Sequence, residues 1–325
     1  MKAIMIGILS AFFFAFTFVL NAAMEMNGGS WYWSASLRYF FMIPLLLIIV
    51  LYRKNLHALI IEMKKAPGKW ILWSTIGFGL FYAPICFAAA YGPGWLIAAT
   101  WQITIISGSL LAPLFYEMRK TPQGVIRIKG QIPFRGLLMS FIILVGVFVI
   151  QWDHASVVSV KDTVICTLAI LIASFAYPLG NRKMMALTNK RLDPYQRVLG
   201  MTIASFPFWL LLALIGLQTA GLPSMSQVYQ SGLVALFSGV FATVLFFAAT
   251  DLVQGNMQKL GAVEATQSFE VLFAMIGEVL ILSAPLPSAT ATVGISLVIL
   301  GMALHSYVSN LPQNGFKKKK LEETV

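Results

Sequence analysis

Charge is what this sequence has least of. Only 11% of its 325 residues are charged, with 12 acidic and 23 basic side chains, while 58% are hydrophobic. Soluble globular domains carry roughly a quarter charged residues, so the composition excludes a water-soluble fold and reads as an integral membrane protein. Cysteine and histidine are nearly absent. Cys86 and Cys166 both fall inside apolar runs, so neither a disulfide framework nor metal-ligand spacing arises. His57, His154 and His305 are scattered, with no carboxylate cluster or Ser/His/Asp context beside them. The chain is therefore read as a non-enzyme with no cofactor and no metal. No phosphate-cradling glycine loop is present either, so ATP drive would need another subunit.

Long apolar runs are abundant. A bilayer core about 30 Å thick takes roughly 20 apolar residues per helix, and unbroken runs rather than short alternations exclude a barrel. Ten spans are expected at Ala3–Met24, Trp31–Tyr52, Trp70–Tyr91, Trp95–Tyr116, Phe134–Gln151, Asp162–Asn181, Val198–Leu217, Gly232–Leu252, Ala262–Ser283 and Thr290–Ser309. Trp31, Trp33, Trp70, Trp73 and Trp95 sit at span ends, where aromatic rings anchor at the membrane interface. Lys and Arg concentrate in alternate loops: after the second, fourth, sixth, eighth and tenth spans, with Lys2 before the first. Short basic loops stay cytoplasmic, which puts both termini in the cytoplasm. The net charge of +11 is then a topology signal, with no nucleic-acid motif beside it. The terminal "KKKKLEETV" is expected to hold the tail near anionic membrane lipids. The first span is too long to be the core of a cleaved signal peptide.

The chain also matches itself at an offset of 160 residues, the difference between Gly79 and Gly239. "GLFYAPICFAA" from Gly79 falls on "GVFATVLFFAA" from Gly239, with five identities, and Asn21 and Met24 fall on Asn181 and Met184. Five spans per copy is odd, so the second copy enters the membrane upside down, and such inverted repeats support alternating access. The expected organisation is a first five-helix repeat at 1–157, a second, inverted one at 158–311, and a basic tail at 312–325.

Arg38 in "SLRYFF", Glu117 in "APLFYE", Glu278 in "IGE" and the glycine pair Gly294 and Gly301 in "GISLVILG", together with the five-plus-five layout, resemble the drug/metabolite transporter superfamily. The likeness is to its ten-helix EamA-type members and their multidrug-efflux branch. It implies an all-α membrane transporter for small organic compounds. The chain departs from the pattern in lacking a proline in the middle of the fourth span and in the extra carboxylates of the ninth.

Those carboxylates lie in "EATQSFEVLFAMIGE", Glu264 to Glu278. On a regular helix, Glu264, Gln267, Glu270 and Glu278 share an arc of roughly 120°, and a membrane carboxylate is expected to face a cavity or a partner. Glu264 is read as a solvated residue at the cytoplasmic mouth. Glu270, roughly 9 Å deeper, is read as the central site for a proton or cation; the competing reading is a structural carboxylate sealed by Gln267 or a neighbouring helix. Two gating ion pairs are expected, Arg38 with Glu278 outside from their similar depth and Arg197 with Glu117 inside from the inversion symmetry. Polar residues at helical spacing complete the cavity wall: Ser10, Thr17 and Asn21 on the first span, and Ser174, Tyr177 and Asn181 on the sixth. Tyr82, Trp101, Gln102 and Thr104 add aromatic and hydrogen-bonding surface suited to a flat organic or cationic compound. The sequence thus reads as a cell-membrane secondary transporter exporting a small-molecule drug or metabolite, with proton antiport through Glu270. An uncoupled amino-acid or metabolite carrier is the alternative, and a channel, scramblase or membrane-embedded enzyme stands behind both.

Overall fold

A computed structural model describes residues 1–92, 97–98, 100–121, 124–152, 159–281 and 288–310. In chain order the helices are α1 (Lys2–Met26), α2 (Trp31–Tyr52), α3 (Leu56–Lys65), α4 (Pro67–Ala89) and α5 (Ile103–Leu110). An antiparallel hairpin of β1 (Tyr116–Thr121) and β2 (Gly124–Lys129) follows. The chain continues through α6 (Phe134–Trp152), α7 (Val160–Thr188), α8 (Pro194–Ala204), α9 (Phe206–Ala220) and α10 (Met225–Leu252). It closes with α11 (Met257–Ala265), α12 (Phe269–Ile281) and α13 (Ala289–Asn310). Among the described residues this is an all-α membrane fold with one small hairpin.

By length and composition, α1, α2, α4, α7 and α10 can each cross a bilayer, and α8 with α9, bent by 48° at the join, makes a sixth if counted as one span. The join has a local cause. Pro207 has no N–H to give to the Ile203 carbonyl, and Ser205 braces the join, donating to Met201 O at 2.8 Å while accepting from the Trp209 indole at 3.1 Å. Helix starts are marked in the sequence: Asp193 and Gln196 form a reciprocal capping box on α8, and Asn256 caps α11.

Two expectations are corrected here. The ninth span was expected as one regular helix, but a 3-10 turn at Thr266–Ser268 separates α11 from α12, which changes the angular register beyond Gln267. The segment after the fourth span was expected as a plain loop, and it pairs as the hairpin instead. The β-branched and basic residues of "GVIRIK" suit an exposed two-stranded ribbon.

Widened π-turns interrupt α4 at Thr75–Gly79 and α10 at Ala235–Ala242, starting 160 residues apart. Such turns leave backbone carbonyls badly partnered, and α1 answers one of them. Ser10 donates to Ala242 O at 2.8 Å, and Thr17 donates to Ser238 Oγ at 2.5 Å. The expected stripe on α1 therefore faces α10 and, through Asn21, α4. The stripe on α7 meets α5 at Ser174 and α10 at Asn181.

Glycines set the closest crossings. A Cβ at Gly180 on α7 would lie 2.2 Å from the Gly77 Cα on α4. On α6, a Cβ at Gly146 would meet Gly294 O at 2.7 Å, and one at Gly301 on α13 would meet Ile143 Cγ1 at 2.8 Å. The glycine pair of α13 is therefore a packing device, of the small-residue kind that membrane helices use to approach closely.

At the end of α2 and around α3, outside the spans, Arg53 pairs with Asp193 at 3.3 Å, and Glu62 is held by Lys65 and by Arg191 at 3.0 Å. The Lys65 hydrogen bond, followed by Arg191, keeps the Glu62 carboxyl below its usual range. A depressed carboxylate stabilises the fold above its unfolded pKa and loses that contribution as pH falls through its folded value. Acidification should thus raise amide exchange in α3, and Glu62→Gln should remove that pH dependence. In α6, Gly146→Ala should destabilise by roughly 1–3 kcal/mol, read as a lower melting temperature in detergent. Gly68→Ala, where nothing lies within 4 Å, should leave it nearly unchanged.

Candidate functional site

The segment from α11 to α12 carries the acidic residues into the middle of the protein. Glu264, in the last turn of α11, receives two hydrogen bonds from Arg182 of α7, Nε to Oε1 at 3.0 Å and Nη2 to Oε2 at 2.6 Å. Both side chains are at most 4% exposed. The pair has room because α5 contributes Gly108, where an added Cβ would lie 2.1 Å from Glu264 Oε2. Glu264 is therefore not the solvated mouth residue expected from the sequence, and Arg182 is not a loop cation. A buried charge is tolerable only with a well-aligned partner, and a bidentate guanidinium provides one.

Glu270 differs. It lies in the first turn of α12 with 1% of its surface exposed; among the described residues no cation pairs with it, and its Oε1 has no hydrogen-bond partner. The Trp101 indole is within hydrogen-bonding reach of the same carboxyl. A narrow cavity of about 10 Å³, enough for one water, is lined by Glu270 and Gln267 together with Trp101, Phe81, Thr17 and Phe14. Tyr177 backs this wall, its ring 4.4 Å from Phe81 and 5.9 Å from Trp101, with a buried hydroxyl lacking a partner.

Of the residues expected to line a site, Glu270, Gln267, Trp101 and Thr17 meet at this cavity, with Tyr177 behind them. The others serve helix contacts. Tyr82 bonds Asn21 at 3.2 Å, Thr104 donates to Ser174 O at 3.2 Å, and Asn181 reaches Thr250 at 3.4 Å. Gln102 turns its amide back to Ala98 O at 2.9 Å and leaves its own oxygen unpartnered.

Of the two expected ion pairs, Arg38 with Glu278 is not formed in this conformation, and Arg197 with Glu117 falls partly outside the described residues. Arg38 is buried with its guanidinium 4.0 Å over the Tyr82 ring, its Nε and Nη1 unpartnered. Among the described residues no carboxylate lies within ion-pair distance of it. Glu278 sits half-buried on the far part of α12, whose Gly277 abuts Val19 of α1, while α2 turns Arg38 toward α4. Arg197 pairs with Asp251 of α10 at 2.6 Å and lies 4.5 Å over the Phe247 ring. The Glu117 side chain lies outside the described residues. Asp251 was missed although it falls inside the expected eighth span, one turn from Phe247; a carboxylate at the end of an apolar run is the signal that could have linked it to Arg197. Among the described residues no group of three or more His, Cys, Asp or Glu could hold a metal.

Residues 1–311 match the EmrE family, described as "Putative multidrug resistance efflux transporter". The chain belongs to this family. It is thus a multi-pass membrane protein of a small-molecule efflux transporter family within the drug/metabolite transporter group. It is 55% identical over 325 residues, 100% of both chains, to "Uncharacterized protein YjlA" of Bacillus subtilis (strain 168). It is 48% identical over 271 residues, 83% of this chain and 70% of the other, to "Uncharacterized 42.1 kDa protein in intracellular alkaline protease 3'region" of Shouchella clausii. A crystal structure of a protein 13% identical in sequence superposes with a TM-score of 0.67, covering 95% of this chain and 97% of that one. That likeness concerns the fold.

Breaking the Arg182–Glu264 pair from one side should cost about 3–5 kcal/mol, since it strands a buried charge. Glu264→Gln should therefore lower the melting temperature strongly. The double substitution Arg182→Met with Glu264→Met should recover most of the loss in the same thermal assay.

Proposed function

We propose that this protein is a secondary active transporter of the plasma membrane that exports a small organic cation in exchange for a proton, with Glu270 as the group both compete for. The observation that carries the reading is a fully buried carboxyl without a counter-charge at the wall of an aromatic cavity. An ionised carboxylate there lacks compensation, and a low-dielectric site does not tolerate that. Either a proton or a cationic ligand supplies it, and competition between the two is antiport. Trp101, Phe81 and Tyr177 offer ring faces for the organic part of such a ligand.

Ten spans in two inverted repeats, with both termini cytoplasmic, provide the movement. The self-match at 160 residues and the π-turns that begin at Thr75 and Ala235 support this arrangement, because a shared backbone irregularity at one offset is a feature of repeats rather than of composition. Alternation then consists of one half exchanging shape with the other around Glu270. With this topology the Arg182–Glu264 pair lies on the cytoplasmic side of the cavity. It takes the inner sealing role that the sequence had suggested for Arg197 and Glu117, joining α5, α7 and α11 while the cavity is shut from the cytoplasm.

Purified protein in liposomes tests the reading. An imposed pH gradient should drive ethidium flux in the wild type, and Glu270→Gln should reduce that flux at least tenfold, the loss expected when a group the cycle depends on is removed. Flux that persists in Glu270→Gln and still follows the pH gradient would remove the coupling role. Flux unaffected by the gradient in both proteins would favour an uncoupled carrier.

A further inference from the structure

A second cavity, of about 270 Å³, lies between the start of α1 and the turn joining α10 to α11. Lys2 and Lys259 flank it, and Ile4, Leu252, Val253 and Val263 form much of its wall. Neither lysine forms an ion pair among the described residues. The acidic residues nearest along the lining helices are already committed: Asp251 to Arg197 at 2.6 Å and Glu264 to Arg182 at 2.6 Å. The cavity is therefore cationic at its rim, apolar in its wall and uncompensated by the protein. Its volume is several times the roughly 30 Å³ share of a water molecule, so it is large enough for a small polar headgroup.

We propose that this cavity binds the phosphate-bearing headgroup of an anionic phospholipid from the cytoplasmic leaflet. Lys2 and Lys259 pair with the phosphate, and the apolar wall receives the first part of the acyl chains. The proposal rests on the cytoplasmic position of the first residues argued above, because anionic lipid is enriched at that surface and basic pockets between membrane helices select it. An amphiphilic occupant explains why charge and apolar surface share one cavity, which a free inorganic ion would not require. The bound lipid would bridge α1, which carries Thr17 of the Glu270 cavity, to α11, which carries Glu264, and so would favour the conformation described here.

The test is lipid retention by the full-length protein in detergent, measured by native mass spectrometry with equimolar phosphatidylglycerol and phosphatidylcholine. The wild type should retain phosphatidylglycerol preferentially. Replacing both Lys2→Gln and Lys259→Gln should reduce that preference roughly 25-fold, from about fivefold per lysine. Leu252→Trp, which fills the cavity without changing charge at an exposed position, should reduce it as well. The control Lys54→Gln with Lys69→Gln removes the same charge elsewhere and should leave the preference intact. An equal loss in the control, or no preference in the wild type, would overturn the proposal. Thermal stabilisation by soluble glycerol phosphate but not by phosphatidylglycerol would also overturn it, by making the ligand a free phosphate compound. Every readout is binding, so failure here leaves the ethidium experiment to judge transport by itself.

Discussion

A bilayer core offers no water to satisfy a polar group, and the rest of this structure follows from that constraint. Each hydroxyl, amide or charge placed in a span must find its partner on another helix or on its own backbone. Ser10 and Thr17 do so on the π-turn of α10, Ser174 on α5, Asn21 on Tyr82 and Arg182 on Glu264. These contacts fix which helices are neighbours, because the apolar faces alone would pack as well against lipid. Several buried groups remain without partners, among them Glu270 Oε1, the Tyr177 hydroxyl, and Nε and Nη1 of Arg38.

The distinction between Glu264 and Glu270 shows how much depends on the partner. Both are acidic, buried and six residues apart on one polypeptide segment. Glu264 has a guanidinium bonded to both oxygens, and Gly108 makes the space for it; it is a structural element of this conformation. Glu270 faces a cavity with aromatic walls and no cation. One carboxylate holds helices together, and the other keeps an oxygen without a hydrogen-bond partner.

Much of the fold was legible in the sequence. Composition and run length gave the membrane class, and the ends of α1 and α2 fell within two residues of the expected spans, because a bilayer imposes both length and hydropathy. Four cavity residues, Glu270, Gln267, Trp101 and Thr17, were also legible, since polar residues inside apolar runs are costly enough to be informative. Charge partners were not. Arg182 and Arg197 sit where sequence alone reads loop and span edge, and their partners lie 82 and 54 residues away. Which residues meet across helices depends on rotation about each axis, and the 3-10 turn between α11 and α12 alters that rotation after Gln267. Glu278 and Arg38 were paired by depth alone, and helix facing separated them.

The account stands on Glu270 as the group exchanged between proton and cation. The most direct measurement is proton release when ethidium binds the purified protein in weakly buffered detergent solution, followed by a pH indicator under single-turnover conditions. Wild-type protein should release a proton per bound cation, and Glu270→Gln should bind or fail to bind without releasing one. Release that is unchanged in Glu270→Gln would contradict the account.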